Sequence, residues 1–159
     1  MFVVGAYYAN GVGVAADAAA AFTWLTRAAE AGHVDAQYTI GCYYRDGKNV
    51  TADAAAAVKW FSRASEAGNA DAMNCLAICY DVGAGVAVDF VKSIAWYTRA
   101  AEAGDAAAQG NLGMRYFHGV RGVSRDVAKA REWLSRAAAG GDTDAAAELV
   151  KLNAAAAPP

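Results

Sequence analysis

The chain has 159 residues, of which 57% are apolar and 19% charged, and its formal charge is −2. Acidic and basic residues interleave, so there is no electrostatic footprint for nucleic acid or an anionic membrane, and no apolar run approaches the roughly 20 residues that span a bilayer. Alanine makes up about a quarter of the sequence and both prolines, Pro158 and Pro159, stand at the C-terminal extreme, so the body of the chain is free to be helical throughout.

The first predicted helix carries Val4, Gly5 and Tyr8 and ends at Gly11, which takes the left-handed conformation at a helix end without steric cost. A short loop, Gly11-Val12-Gly13-Val14, leads to Asp17. There a carboxylate can accept orphan N–H groups and oppose the dipole of the second helix. That helix presents Ala21, Trp24 and Ala28 on one stripe and closes at Gly32. His33 then caps a third helix, with Ala36, Ile40, Gly41 and Tyr44 on one face and Gly47 at its end.

From here the text restarts. Trp24, Trp60, Trp96 and Trp133 sit inside W-L-T-R-A-A-E-A-G-H, W-F-S-R-A-S-E-A-G-N, W-Y-T-R-A-A-E-A-G-D and W-L-S-R-A-A-A-G-G-D. The columns stay fixed: Val4, Ile40, Leu76 and Leu112 are large, Gly5, Gly41, Ala77 and Gly113 are small, and Tyr8, Tyr44, Tyr80 and Tyr116 are aromatic. Asp53, Asp89 and Asp126 repeat the role of Asp17, and Asn69, Asp105 and Asp142 that of His33. The last interval is one residue longer because the fourth loop, G-V-R-G-V at 119–123, holds an insertion that a loop tolerates and a helix does not. A repeat of this length predicts a solenoid, in which no unit buries its apolar face alone and neighbours must stack. The units fall at about 1–34, 35–70, 71–106 and 107–143; a capping helix at 144–153 completes one domain, 1–153, and residues 154–159 read as a frayed tail.

Candidate chemistry is sparse. The aspartate ladder is explained by capping. The tryptophans, at helical spacing among small residues, read as core and not as a ligand-stacking ladder. Arg27, Arg63 and Arg99 have Glu30, Glu66 and Glu102 three residues on, which predicts a solvated, paired face. Three cysteines, Cys42, Cys75 and Cys79, suit buried thiols in a cytoplasmic or other reducing intracellular compartment better than a disulfide framework. Cys75 and Cys79 share a helical face, but no His or carboxylate is placed to complete a metal site. The two histidines, His33 and His118, lie at a turn and a helix end. No nucleophile motif, phosphate loop or H-E-x-x-H pattern occurs, and Gly11-Val12-Gly13 lacks the strand a dinucleotide site needs. No catalysis, metal or cofactor is expected.

The unit A-x3-L-G-x2-Y-x2-G-x-G-V-x2-D-x3-A-x2-W-x3-A-A-x2-G resembles the Sel-one-like repeat (SLR) family from Met1 to about Gly141, with Asn49, Ala77 and Ser65 as departures. The resemblance implies an all-α, right-handed superhelical solenoid of four helix pairs, related to tetratricopeptide repeats. It also implies a non-catalytic adaptor or scaffold that binds peptide segments or proteins on a concave surface. Carried onto this chain, that surface includes Tyr38, Arg45, Asn74, Ile78, Asp81, Met114, Phe117 and His118. A structural subunit held permanently in a large complex is the alternative. A hydrolase of the cysteine-rich bacterial branch ranks behind both, because that branch staples each helix pair with a disulfide and this chain lacks one Cys pair per unit. The first helix begins with no helix and no polar capping repeat before it. Either the chain is a piece of a longer array, or its exposed Phe2, Val3 and Val4 stack on another protein or end to end on another copy.

Overall fold

The computed structural model describes residues 1–120 and 122–154; of the tail expected at 154–159, Ala154 belongs to the last helix and the rest lies outside the described residues. Within them the chain forms α1 (Phe2–Asn10), α2 (Ala18–Glu30), α3 (Val34–Asp46), α4 (Ala54–Glu66), α5 (Ala70–Val82), α6 (Phe90–Glu102), α7 (Ala106–His118), α8 (Val127–Ala139) and α9 (Thr143–Ala154). Odd-numbered helices are the first of each pair, called A helices below, and even-numbered ones are the B helices. Each helix packs on the next, and α9 lies on α8 and α7. The protein is thus an all-α solenoid of four helix pairs closed by a final capping helix.

Helix boundaries follow from the caps. Asp17, Asp53, Asp89 and Asp126 have extended backbones and accept N–H groups from the first turns of α2, α4, α6 and α8. His33, Asn69 and Asp105 do the same for α3, α5 and α7, and Asp142 accepts from Ala145. The turn from B to A is three residues long. Gly32, with φ 90°, donates its N–H to Ala29, and the next N–H, that of His33, reaches back to Ala28. The residue that satisfies the carbonyl end of one helix is therefore also the N-cap of the next. On the other side of each unit, the N–H groups of Asp17, Asp53, Asp89 and Asp126 donate to the carbonyls of Tyr8, Tyr44, Tyr80 and Tyr116 at 2.8 to 2.9 Å, pinning the longer loop. Asn49 stands where the other loops carry Gly and adopts φ 63°, a conformation Asn accepts better than most residues.

The small column sets the closeness of each pair. A Cβ added at Gly41 would lie 2.6 Å from the Phe61 ring, at Gly5 2.7 Å from Leu25 Cγ, and at Gly113 2.8 Å from Leu134 Cγ. Ala77 fills that place opposite Tyr97 in the third unit.

The tryptophan column needs correcting. Trp24, Trp60, Trp96 and Trp133 are half-buried, and the knobs that fill the interior are the residues immediately after them, Leu25, Phe61, Tyr97 and Leu134, none more than 2% exposed. The buried stripe of α2 runs Ala21, Leu25, Ala28 and Ala29, so the fourth residue after Ala21, not the third, points inward. Adjacent helical residues diverge by about 100°, enough to separate an interior position from a boundary one. Trp60 packs on the cluster formed by Leu25, Ala28, Ala36 and Ile40, tying its own unit to the preceding one. Trp96 and Trp133 make the equivalent contacts further along.

The arginines also behave differently. Arg27, Arg63, Arg99 and Arg136 lie over the rings of Trp24, Trp60, Trp96 and Trp133, with 4.3 to 5.3 Å from guanidinium carbon to ring centroid. The expected pairs with Glu30, Glu66 and Glu102 are absent from the ion pairs of the described residues. An exposed ion pair is screened by water and holds such a side chain weakly, which leaves the guanidinium free to lie on the ring; Arg136 makes both contacts, pairing with Glu132 at 2.8 Å.

Candidate partner-binding face

Neighbouring A helices meet along one strip, and the residues that pair across it fall in the same columns from unit to unit. Asn74 of α5 accepts a hydrogen bond from Asn111 of α7 at 3.5 Å, while Tyr38, in the Asn74 column of α3, feels Cys75, in the Asn111 column of α5. Asp81 of α5 forms an ion pair with Arg115 of α7 at 3.0 Å; one unit earlier, the charge of Arg45 acts on Cys79 in the equivalent places. Successive A helices therefore present a continuous strip, and its chemistry changes at every step.

The predicted residues fall on this strip in three different conditions. Arg45, Ile78 and His118 are exposed. Arg45 forms a two-point pair with its neighbour Asp46 at 2.7 and 3.0 Å, which holds the Asp46 carboxyl below the usual range. Tyr38, Asn74, Met114 and Phe117 are half-buried: Tyr38 leans on the Phe61 ring, and Phe117 meets His118 edge to face at 4.8 Å between centroids. Asp81 is only 8% exposed, and its carboxylate is engaged by Arg115, whose guanidinium also lies over Tyr97 at 4.6 Å. Sequence reading treats Asp81 as a polar contact for a partner and does not foresee that the next helix takes up its charge.

Two features escaped the sequence. Met114 lines a cleft of about 340 Å³ between α7 and α9, together with Gly110, Asn111, Asp142, Asp144 and Glu148. The other is a thiol cluster. Cys42 of α3 is half-buried and packs against the cluster that holds Cys75 and Cys79 of α5, both buried; all three thiols are free. Stacking one unit on the next brings Cys42 and Cys75 together, and the only signal for this in the sequence is their neighbouring columns. Among the described residues, no group of three or more His, Cys, Asp or Glu side chains is gathered as a metal ion would need. No helix among them is long and apolar enough to cross a membrane.

The Sel1 repeat model matches residues 1–33, 34–69, 70–105 and 106–142, one match for each helix pair described above. The chain belongs to the Sel1 repeat family. The crystal structure of a Sel1 repeat protein from Oxalobacter formigenes superposes with a TM-score of 0.90 at 32% identity, covering 98% of this chain and 61% of that one. The structure of c5321, a protective antigen of uropathogenic Escherichia coli strains with an SLR fold, gives 0.86 at 38% identity, covering 91% of this chain and 31% of that one. The chain thus spans less than two thirds of either protein. Helicobacter pylori cysteine rich protein B shares the fold at a TM-score of 0.66 and 21% identity, over 84% of this chain and 96% of that one. No curated protein matches the sequence. Within this Sel1 array the packing columns are nearly invariant from repeat to repeat, whereas the strip along the A helices carries Tyr38, Asn74 and Gly110 in one column and Cys42, Ile78 and Met114 in another.

Proposed function

We propose that this Sel1 array is a non-catalytic protein–protein interaction module that takes up a peptide segment along its A-helix strip. The observation that carries this reading is the contrast just described, in which the stacking columns hold constant while a surface strip varies. Its apolar anchors would be Tyr38, Ile78, Met114 and Phe117, and its polar contacts Arg45, Asn74 and His118, a mixture suited to an extended or helical peptide. Asp81 contributes by fixing α5 against α7. The three free thiols support a reducing compartment as the setting.

Peptides selected by display on the immobilised chain provide the test. Isothermal titration of a selected peptide should show at least about a tenfold loss of affinity in Ile78→Asp and in Phe117→Ala, as expected for truncated or charged anchors. Unchanged affinity in both would place the site elsewhere.

A second reading, a subunit held in a larger assembly or against another copy, rests on α1. Val3, Val4 and Tyr7 of α1 and its N-cap Met1 are all exposed, in columns that the later A helices bury or half-bury. Sedimentation that shifts with concentration in the parent chain, and not in Val4→Asp, would favour it.

A further inference from the structure

The cysteine cluster sits at one repeat boundary and nowhere else. The positions equivalent to Cys42 and Cys75 at the following boundary are Ile78 and Asn111, so no thiol pair recurs there. At the α3/α5 boundary, Cys42 packs against the cluster that holds Cys75 and Cys79, and the Arg45 guanidinium donates to Cys75 Sγ at 3.5 Å. Cys42 is partly open to solvent, Cys75 lies beneath it, and Cys79 is one turn further along α5 among Ala57, Phe61 and Leu76. We propose that Cys42 is an oxidation site for hydrogen peroxide and that Cys75 resolves it, forming a disulfide that ties α3 to α5 across the boundary between the second and third repeats.

The two thiols have different environments, and the difference assigns their roles. The hydrogen bond from Cys75 lowers the Cys42 thiol to about 7 against the opposing effect of burial, with Tyr38 and the Arg45 charge adding to the lowering. The same hydrogen bond and burial push Cys75 up, and burial pushes Cys79 up. Thiolate is the reactive form, so Cys42, the most accessible of the three thiols and the one held below its ordinary value, attacks first. Its sulfur takes one peroxide oxygen as the O–O bond breaks, giving a sulfenic acid and hydroxide, and the hydroxide becomes water by taking up from solvent the proton that the Cys42 thiol had released. The Cys75 sulfur then attacks the oxidised sulfur; the S–O bond breaks, the hydroxyl leaves with the Cys75 proton as a second water, and the S–S bond forms. Two thiols are oxidised and one peroxide is reduced to two waters. This link joins neighbouring repeats, unlike a staple within one helix pair, and it needs no bound partner.

The reduced full chain, treated with peroxide and quenched with N-ethylmaleimide, can be mapped by mass spectrometry without reduction. The expected product is a Cys42–Cys75 linked peptide with maleimide on Cys79, reversed by dithiothreitol and unaltered in Cys79→Ser. In Cys75→Ser, oxidation should stop at a Cys42 sulfenic acid that dimedone traps. Before oxidation, alkylation of Cys42 should rise with pH about a midpoint near 7, while Cys75 and Cys79 stay unlabelled over the same range. Three maleimide-labelled thiols after peroxide, a link through Cys79, or links between two chains alone would each overturn the proposal.

Discussion

Helices α1 and α5 carry the same columns in different surroundings. In α5, Leu76 is 1% exposed and Cys79 6%, because α4 lies over them; in α1 the corresponding Val4 and Tyr7 are 37% and 48% exposed, and no described helix lies over them. Composition cannot account for this, since α1 is the more apolar of the two on average. Burial in this fold is supplied by the neighbouring repeat and not by the helix itself, so stability should be greatest at interior interfaces and fall toward α1.

The sharpest check is a pair of truncations. Leu76→Ala should cost about 4 kcal/mol through lost transfer energy and the cavity it leaves, and Val4→Ala less than about 1 kcal/mol, because half of that difference in environment is water. Equal losses in chemical denaturation would show that α1 is covered in solution and dissolve the contrast. Next comes Asp81→Ala, which strands the Arg115 guanidinium at an interior boundary and should cost about 3 kcal/mol. A double-mutant cycle with Arg115→Met distinguishes the ion pair from lost packing, and a coupling near zero would remove the pair as the fastener between α5 and α7. The smallest effect among the interior positions belongs to Trp60, and the contrast is with Trp24. Trp60→Ala should lose about 2 kcal/mol, less than a fully buried aromatic, while Trp24→Ala, in the first B helix, should lose less still. If Trp24 proves as costly as Trp60, its role lies within its own unit and not in joining units.

Much of the fold was legible because each boundary is written twice, once in a capping side chain and once in a glycine. Asp53 and Gly47 mark their turn whatever the rest of the molecule does, and the fixed loop lengths keep the columns in register. The candidate face was legible only as a set of varying columns. Reading Asp81 as a contact for a partner, or Arg63 as a mate for Glu66, used neighbours along one helix, whereas the partners that decide their environment, Arg115 and Trp60, come from another helix or from the opposite direction along the same one. Cys42 and Cys75 were assigned separately to buried helices for the same reason.

The amino-acid sequence alone determined the repeat, its helix pairs and their ends, because caps, turns and propensities act over a few residues. Tertiary structure decided which of two adjacent residues, Trp60 or Phe61, fills the core, and which polar groups remain for a partner. A helix's rotation about its own axis is set by what packs against it, and that information resides in the stack.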